Sequence, residues 1–293
     1  MTLGRIPAAD YPRGLPPWLK KRLSFGQARA TDAIVADLGL HTVCAEAACP
    51  NRNECFAEGT ATFMVLGAVC SRHCGFCNVT AGAPDPVDPD EPARVAEAVR
   101  RMGLDYCVIT SVTRDDLADG GSGHFAAVIR ALRETASCRV EVLTPDFQGR
   151  AADIDRVIAA APDAFNHNVE TVARLYPEVR PAAVYRRSLD LLARVAAAGL
   201  PAKSGIMVGL GEKDAEVLEL FDDLRRAGCA LLTIGQYLRP NRDCLPVKEF
   251  VTPAHFDHLR GEALARGFTA VAAGPFVRSS HHARGLFEGI GHG

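Results

Sequence analysis

Between Ala61 and Leu238 the sequence repeats one pattern: a short apolar run of strand length, then a longer segment whose apolar residues recur every three or four positions. ATFMVLGAV, YCVITSV, RVEVLTP, DAFNHNVE, KSGIMVGLG and LLTIGQYL read as six strands. The segments between them read as helices with one buried face. Val95, Val99 and Met102 line one of these faces, Phe125, Val128, Ile129 and Leu132 a second, and Val217, Leu220, Phe221 and Leu224 a third. YRRSLDLLARVAAAG stops at Gly199 and Pro201, residues that end helices, and PAHFDHLRGEALARG forms a last helix before the apolar FTAVAAGPFV. Strands separated by helices imply parallel βα units with both sheet faces covered. An open doubly wound sheet fits this alternation too. The polar segments TSVTRDD, TPDFQG, HNVET, GLGEKD and GQYLRPNRD all fall at C-terminal strand ends, where barrels build their sites. The expected fold is therefore α/β, a partial (β/α)6 TIM-like barrel over residues 61–266 with an N-terminal extension (1–60) and a C-terminal extension (267–293). The N-terminal extension is rich in proline and arginine, holds the single tryptophan, Trp18, and carries one helical stretch, TDAIVADLGLH.

A formal net charge of -2 gives no electrostatic case for nucleic acid or an anionic membrane surface. No apolar run is long enough to span a bilayer, and the first residues lack the apolar core of a secretory signal. A cytoplasmic, reducing setting is expected, in which clustered thiols bind metal or act in catalysis.

Six of the ten cysteines fall in two triplets. Cys44, Cys49 and Cys55 are spaced C-x4-C-x5-C; Cys70, Cys74 and Cys77 are spaced C-x3-C-x2-C and follow the first strand. Cys107, Cys138, Cys229 and Cys244 are scattered and read as small buried apolar residues, although the loop setting of Cys244 suggests exposure. Structural zinc wants four ligands. Only Cys74 and Cys77 form a zinc-like pair, and His73 between two cysteines points away from a metal they share. A [4Fe–4S] cluster accepts three thiolates and leaves its fourth iron for an outside ligand. Phe76, just before the third cysteine, is placed to flank such a ligand.

A C-x3-C-x-aromatic-C loop after the first strand of a βα barrel resembles the radical S-adenosylmethionine (SAM) superfamily, in which SAM chelates the open iron. The segments CAEAACPNRNEC, GTATFMVLG, RHCGFCNV, TRDDLADGGSGHF, VEVLTPDFQG, FNHNVETVARLYPEVRP, YRRSLDLLARV, KSGIMVGLGE, LTIGQYLRP and GPFVRSSHHA further resemble the lipoyl synthase family, in its order, from about residue 44 to residue 284. The resemblance implies a sulfurtransferase of lipoate biosynthesis that inserts two sulfur atoms, at C6 and C8, into a protein-bound octanoyl-lysine. It implies two [4Fe–4S] clusters and SAM as cofactors. Cys70, Cys74 and Cys77 would hold the SAM cluster. Cys44, Cys49 and Cys55 would hold an auxiliary cluster that donates sulfur, with Ser280 as its fourth ligand and Ser279 as the alternative. The family's RSSY motif reads RSSH here; His281 is read as a surface histidine of the tail. Implied partners are an octanoylated lipoyl carrier protein (a lipoyl domain or the glycine-cleavage H protein), an electron donor such as ferredoxin or flavodoxin, and an iron–sulfur cluster carrier protein.

Other candidates carry competing readings. Phe76, Asn168, Glu170 and Gly209 are candidate SAM contacts. Glu170 also fits an acid favoured by a helix dipole, and the Gly209–Glu212 stretch fits a plain strand-end turn. Asp119-Gly120-Gly121 fits either a methionine-binding element or a tight turn. Gln236, Tyr237 and Arg239 fit the mouth, while Arg114 and Arg278 fit either a contact to carboxylate or substrate or a solvated salt bridge. No phosphate-binding G-x4-G-K-[ST] occurs. Two other functions compete. A different sulfur-inserting or methylthiolating radical SAM enzyme lacks the upstream triplet and the RSS segment; a two-cluster electron carrier needs no barrel and wants every iron capped by protein.

Overall fold

The computed structural model of the chain describes residues 4–11, 14–20, 29–46, 49, 51–57, 61–281 and 283–289. The remainder of the 1–60 extension and residues 282 and 290–293 lie outside the described residues. In chain order the strands are β1 (Arg5–Pro7), β2 (His41–Thr42), β3 (Thr62–Val65), β4 (Val69–Cys70), β5 (Thr80–Ala81), β6 (Tyr106–Ser111), β7 (Arg139–Leu143), β8 (Ala164–Asn166), β9 (Ala202–Val208), β10 (Leu231–Gln236), β11 (Glu249–Val251) and β12 (Ala270–Gly274). The helices are α1 (Arg29–Asp37), α2 (Val43–Glu46), α3 (Arg52–Ala57), α4 (Glu91–Met102), α5 (Ser122–Thr135), α6 (Ala151–Ala159), α7 (Tyr176–Val179), α8 (Tyr185–Ala197), α9 (Asp214–Arg226), α10 (Pro253–Ala265) and α11 (Ala283–Glu288).

The main sheet runs β12-β10-β9-β8-β7-β6-β3-β2, parallel throughout except for the edge strand β2. The six expected strands are present, and β12, from the apolar stretch after α10, adds a seventh parallel strand to them. Two rows explain the sheet's curvature around an interior. Phe63, Ile109, Val142, Phe165 and Ala202 stand side by side on one face, all apolar and buried against the helices. The neighbouring row, Met64, Thr110, Leu143, Asn166 and Lys203, faces inward and mixes polar with apolar side chains. Burying the outer row supplies the hydrophobic drive, roughly 1.5–3 kcal/mol for each large side chain.

The interior is filled in layers. At the N-terminal strand ends α11 acts as a plug: the Phe287 and Tyr106 ring centroids lie 5.8 Å apart, and the Arg139 guanidinium stands over the Phe287 ring, 5.2 Å from its centroid. Above it, Lys203 Nζ reaches both Glu141 oxygens at 2.7 and 3.0 Å, and the Tyr106 hydroxyl donates to Glu141 at 2.7 Å. Lys203 and Glu141 are fully buried, so each charge depends on the other.

Two of the expected strands keep less than half of their predicted runs. ATFMVLGAV breaks after Val65, because Leu66 (φ 68°) and Gly67 (φ 90°) turn the chain toward the cysteine loop. The Leu66 N–H donates to the Glu91 carboxylate at 2.9 Å and its carbonyl accepts from Arg114 at 3.2 Å, which fixes the turn. DAFNHNVE leaves the sheet at Asn166 and rejoins it only through a bridge from Glu170 to Ile206. The N-terminal arm packs on the barrel flank as β1 against β11. There Arg5 binds Glu212, Asp214 and Glu249, and Trp18 donates to the Val251 carbonyl. Cys107, Cys138, Cys229 and Cys244 are all buried as expected, Cys244 in spite of its loop setting. No helix among the described residues is long and apolar enough to cross a membrane.

Candidate functional site

A cavity of about 500 Å³ opens at the C-terminal strand ends, and all six clustered cysteines line it. Cys70 ends β4, and Cys74 and Cys77 sit in the turn that follows. The Cys70 sulfur accepts backbone N–H groups from Arg72 (3.4 Å) and Thr113 (3.3 Å), and the Cys77 sulfur accepts one from Val79 (3.5 Å). Such donors suit a thiolate more than a thiol. Cys44 lies in α2 and Cys55 in α3, with Cys49 between them. Asn78 donates to the Glu46 carbonyl at 2.9 Å and so ties the second cysteine loop to the first.

The C-terminal segment closes the cavity from the opposite side. It enters because Gly235 and Gly205 carry no side chain. A Cβ at Gly235 would collide with the Val277 carbonyl, and one at Gly205 would stand 2.9 Å from Ser279 Oγ. The Asn51 amide donates to the Phe276 carbonyl at 2.7 Å, joining this segment to the first triplet. Ser279, Ser280 and His281 all line the cavity. The Ser279 hydroxyl accepts from Asn168 Nδ2 at 2.6 Å. His281, expected on the surface, is instead largely enclosed: its ring stands 3.8 Å from the Glu54 carboxylate of α3.

Glu170 holds a left-handed backbone conformation (φ 65°) that a non-glycine residue adopts at a cost of about 1–3 kcal/mol. Its N–H donates to the Gly205 carbonyl at 3.0 Å and its carbonyl accepts from Met207 at 2.8 Å, so the sheet imposes the strain. Burial raises the Glu170 carboxyl above the ordinary carboxylate range, against the pull of Arg180 and of the Asn168 bond at 3.1 Å. Arg180 donates to the Asn168 carbonyl at 2.8 Å. His167, by contrast, is pushed down to about 4 by burial and by Arg180; it is held neutral between the Thr144 carbonyl and Ser188.

The donor sets fit the cofactors implied by the sequence. Among the described residues no three His, Cys, Asp or Glu side chains converge on a single-ion site. Tetrahedral zinc draws its sulfurs to about 3.8 Å of one another, whereas a cluster of several irons is wider. Burial pushes the Cys77 thiol up to about 12 and the Cys44 thiol up to about 11, and raises Cys74. Iron must therefore displace protons to bind. Beside the thiols, Ser111 Oγ, Thr144 Oγ1, Asn168 Oδ1 and Arg180 Nε line the same cavity, buried and without a hydrogen-bond partner. Unpaired buried polar atoms cost about 1–3 kcal/mol each, which a polar ligand recovers.

Phe76, Asn168 and Glu170 line the cavity, as do Arg278, Gln236, Tyr237 and Arg239. Gly209 does not. At φ 103° its bare Cα lets the Gln236 amide and the Glu249 carbonyl approach, and its N–H donates to Glu212 at 2.7 Å. The glycine turn thus braces β11 and the N-terminal arm. Asp119-Gly120-Gly121 is likewise a turn: the Asp119 carboxylate accepts the Gly121 and Gly123 N–H groups at the start of α5. Arg114 is spent on Asp116 and the Leu66 carbonyl.

Sequence reasoning missed Arg180 and Arg72. Arg72, inside C-x3-C, binds Asp115 through Nε (2.6 Å) and Nη2 (2.9 Å) and also donates to Asp146 (2.7 Å). Burial alone would raise the Asp146 carboxyl, yet the Arg72 hydrogen bond and charge hold it well below the usual range. The only local signal was an arginine lodged between two of the clustered cysteines.

The Radical SAM superfamily model matches residues 64–224. The chain is 53% identical over 289 residues to the lipoyl synthase of Methylococcus capsulatus, covering 96% of this chain and 90% of that protein. It is 52% identical over 274 residues to the lipoyl synthase of Yersinia pestis, covering 92% and 85%. In fold it is similar to Streptococcus suis SuiB bound to S-adenosylmethionine, with a TM-score of 0.54 at 13% identity over 73% of this chain and 51% of that one. SuiB bound to its precursor peptide SuiA gives a TM-score of 0.52 over 87% of this chain and 55% of that one.

Proposed function

The chain belongs to the lipoyl synthase family of the radical SAM superfamily, and we propose on that premise that its two cysteine triplets hold two [4Fe–4S] clusters with separate tasks. It inserts sulfur at C6 and C8 of a protein-bound octanoyl-lysine. An unactivated C–H bond offers no acidic proton and no leaving group, so side-chain acid–base chemistry cannot open it. When bound, SAM with its cluster supplies a radical able to take hydrogen from such a carbon, and the auxiliary cluster supplies sulfur.

The chain's own residues arrange the encounter. Cys70, Cys74 and Cys77 hold the SAM cluster, and the unpaired Ser111, Thr144, Asn168 and Arg180 atoms with the strained Glu170 carboxylate offer SAM its polar contacts. Phe76 gives it a flat apolar side. Met64, Val112, Leu143 and Met207 line the same cavity and provide an alkyl chain with an apolar wall. Cys44, Cys49 and Cys55 hold the sulfur donor, completed by Ser280. Ser280 is preferred to Ser279 because the Ser279 hydroxyl is engaged by Asn168 whereas no described residue engages that of Ser280. The observation that carries this reading is that both triplets and the Arg278–His281 segment face one cavity. A carbon radical must meet sulfur before it is quenched, and a shared cavity keeps the two within reach.

We assign the chain to the cytoplasm, where its ten free cysteines remain reduced. Its partners are then an octanoylated lipoyl domain or glycine-cleavage H protein, a ferredoxin or flavodoxin, and a carrier that rebuilds the spent cluster. The test is an anaerobic assay of the reconstituted enzyme with SAM, a strong reductant and an octanoyl-lysine peptide, read by mass spectrometry. Wild type yields a peptide with two added sulfurs together with 5′-deoxyadenosine, whereas Cys49→Ala yields 5′-deoxyadenosine alone. Full sulfur insertion by Cys49→Ala would overturn the donor assignment.

A further inference from the structure

Residues 237–248 link β10 to β11. Tyr237, Leu238, Arg239 and Pro240 line the cavity, and the segment then doubles back over the loop that carries Cys74 and Cys77. Three contacts join the two. The Leu245 N–H donates to the Gly75 carbonyl at 2.7 Å, Asn241 Nδ2 donates to Asn78 Oδ1 at 2.7 Å, and the Cys244 thiol donates to the Cys77 carbonyl at 3.5 Å. From the other side, the Val179 carbonyl at the end of α7 accepts the Gly75 N–H at 2.9 Å. Gly75 is thus gripped between two segments. A Cβ there would stand 2.9 Å from Leu245 Cδ1 and 3.1 Å from the Glu178 carbonyl.

The returning segment is itself stiff. The Tyr237 hydroxyl donates to the Leu245 carbonyl at 2.7 Å, Arg239 Nε donates to the Cys244 carbonyl at 2.8 Å, and Asn241 Oδ1 accepts the Asp243 N–H at 2.7 Å. Its far end is anchored where the Lys248 carbonyl accepts from Ala8 and where β11 pairs with β1. None of these groups is a cysteine sulfur acting as a ligand, and the contacts on the cysteine loop fall on its Gly75, Cys77 and Asn78 oxygens.

We propose that Asn241, Cys244 and Leu245 are positioning residues that fix, from outside the cavity, the turn from Gly75 to Asn78 and so the placement of the Cys74 and Cys77 sulfurs. The inference rests on the reading of Cys70, Cys74 and Cys77 as the SAM-cluster ligands. Ligand geometry set by a surrounding shell is what tunes a metal site's affinity and electronic state. Asn241, Cys244 and Leu245 therefore govern how the cluster responds to SAM without themselves lining the cavity.

The experiment uses the reconstituted holoenzyme, reduced anaerobically, with electron paramagnetic resonance recorded before and during titration with SAM. Asn241→Asp keeps the acceptor for the Asp243 N–H and removes the donor to Asn78. It is expected to weaken the SAM-induced spectral change about threefold to tenfold in SAM concentration, the worth of one hydrogen bond, with total iron per chain unchanged. Gly75→Ala is expected to lose the SAM-responsive signal, and Gly75→Ala/Leu245→Ala to regain it, because the second change removes the colliding side chain. Strap variants that titrate like wild type, or a double variant no better than Gly75→Ala alone, would overturn the strap. A wild-type SAM-responsive signal that survives Cys70→Ala, Cys74→Ala and Cys77→Ala would instead overturn the ligand reading on which the strap depends.

Discussion

Arg72 offers a quantitative test of how the SAM-cluster loop is held. Arg72→Met keeps much of the side chain's length and removes three guanidinium–carboxylate hydrogen bonds, two to Asp115 and one to Asp146. Breaking a buried ion pair costs about 3–5 kcal/mol. The Asp115 share is discounted because that carboxylate is 27% exposed, whereas Asp146 is fully buried. Asp146 keeps Arg187 at 3.0 Å and the Gln148 N–H at 3.1 Å, so it is not abandoned. The lower end, about 3 kcal/mol, is expected, and with a slope of about 3 kcal/mol per molar urea the midpoint falls by about 1 M. The pH dependence has a definite sign. Asp146 is depressed in the fold, so its stabilisation is fully present above the unfolded carboxylate value of about 3.9 and is lost as pH falls through the lower native value. Removing Arg72 removes most of that depression. The gap between wild type and variant should be widest near neutrality and close in acid. Urea unfolding of the cluster-free chain, followed by circular dichroism across pH, measures both. A loss under about 1 kcal/mol, or a gap indifferent to acid, would refute the reasoning.

Glu170→Gly relieves the left-handed strain and should raise thermal stability by about 1 kcal/mol while weakening SAM binding about tenfold; a variant that binds SAM normally contradicts the role given to the carboxylate. Lys203→Met leaves Glu141 buried beneath the cavity floor and should cost about 3–5 kcal/mol in urea unfolding, while Lys203→Met/Glu141→Leu should recover most of it. Ser280→Ala should lower iron at the auxiliary site with the SAM-responsive signal intact, whereas Ser279→Ala, which frees Asn168, should disturb SAM binding instead; Mössbauer spectra with SAM titration separate the two.

What the sequence made legible was local. The cysteine triplets declare themselves by spacing within a dozen residues, and Phe76 by its place inside one of them. Asn168 and Glu170 were read as candidates from their position at a strand end and both line the cavity, although nothing in HNVET announced the positive φ of Glu170. Gly209 went the other way. A glycine turn at a strand end looks the same in sequence whether its open side meets a ligand or, as here, a glutamine amide. Arg72 and Arg180 were not legible because their partners are set by topology: Asp146 lies 74 residues beyond Arg72. The strand Ala270–Gly274 was hidden by its composition, since AVAAG is too short and alanine-rich to choose between helix and strand without the β10 edge that pairs it. The burial of His281 depends on Gly205 and Gly235 admitting the C-terminal segment, a close approach that leaves no trace in RSSH itself.

The central claim is that the Cys44/Cys49/Cys55 site gives its own sulfur to a substrate radical made in the same cavity. The most direct measurement builds the clusters with heavy-isotope sulfide, removes free sulfide, and runs one turnover on octanoyl-lysine peptide in the presence of ordinary sulfide. The account predicts that both sulfurs in the product carry the heavy isotope, with no more than one product per chain. Ordinary sulfur in the product would contradict it, because the donor would then lie outside the protein.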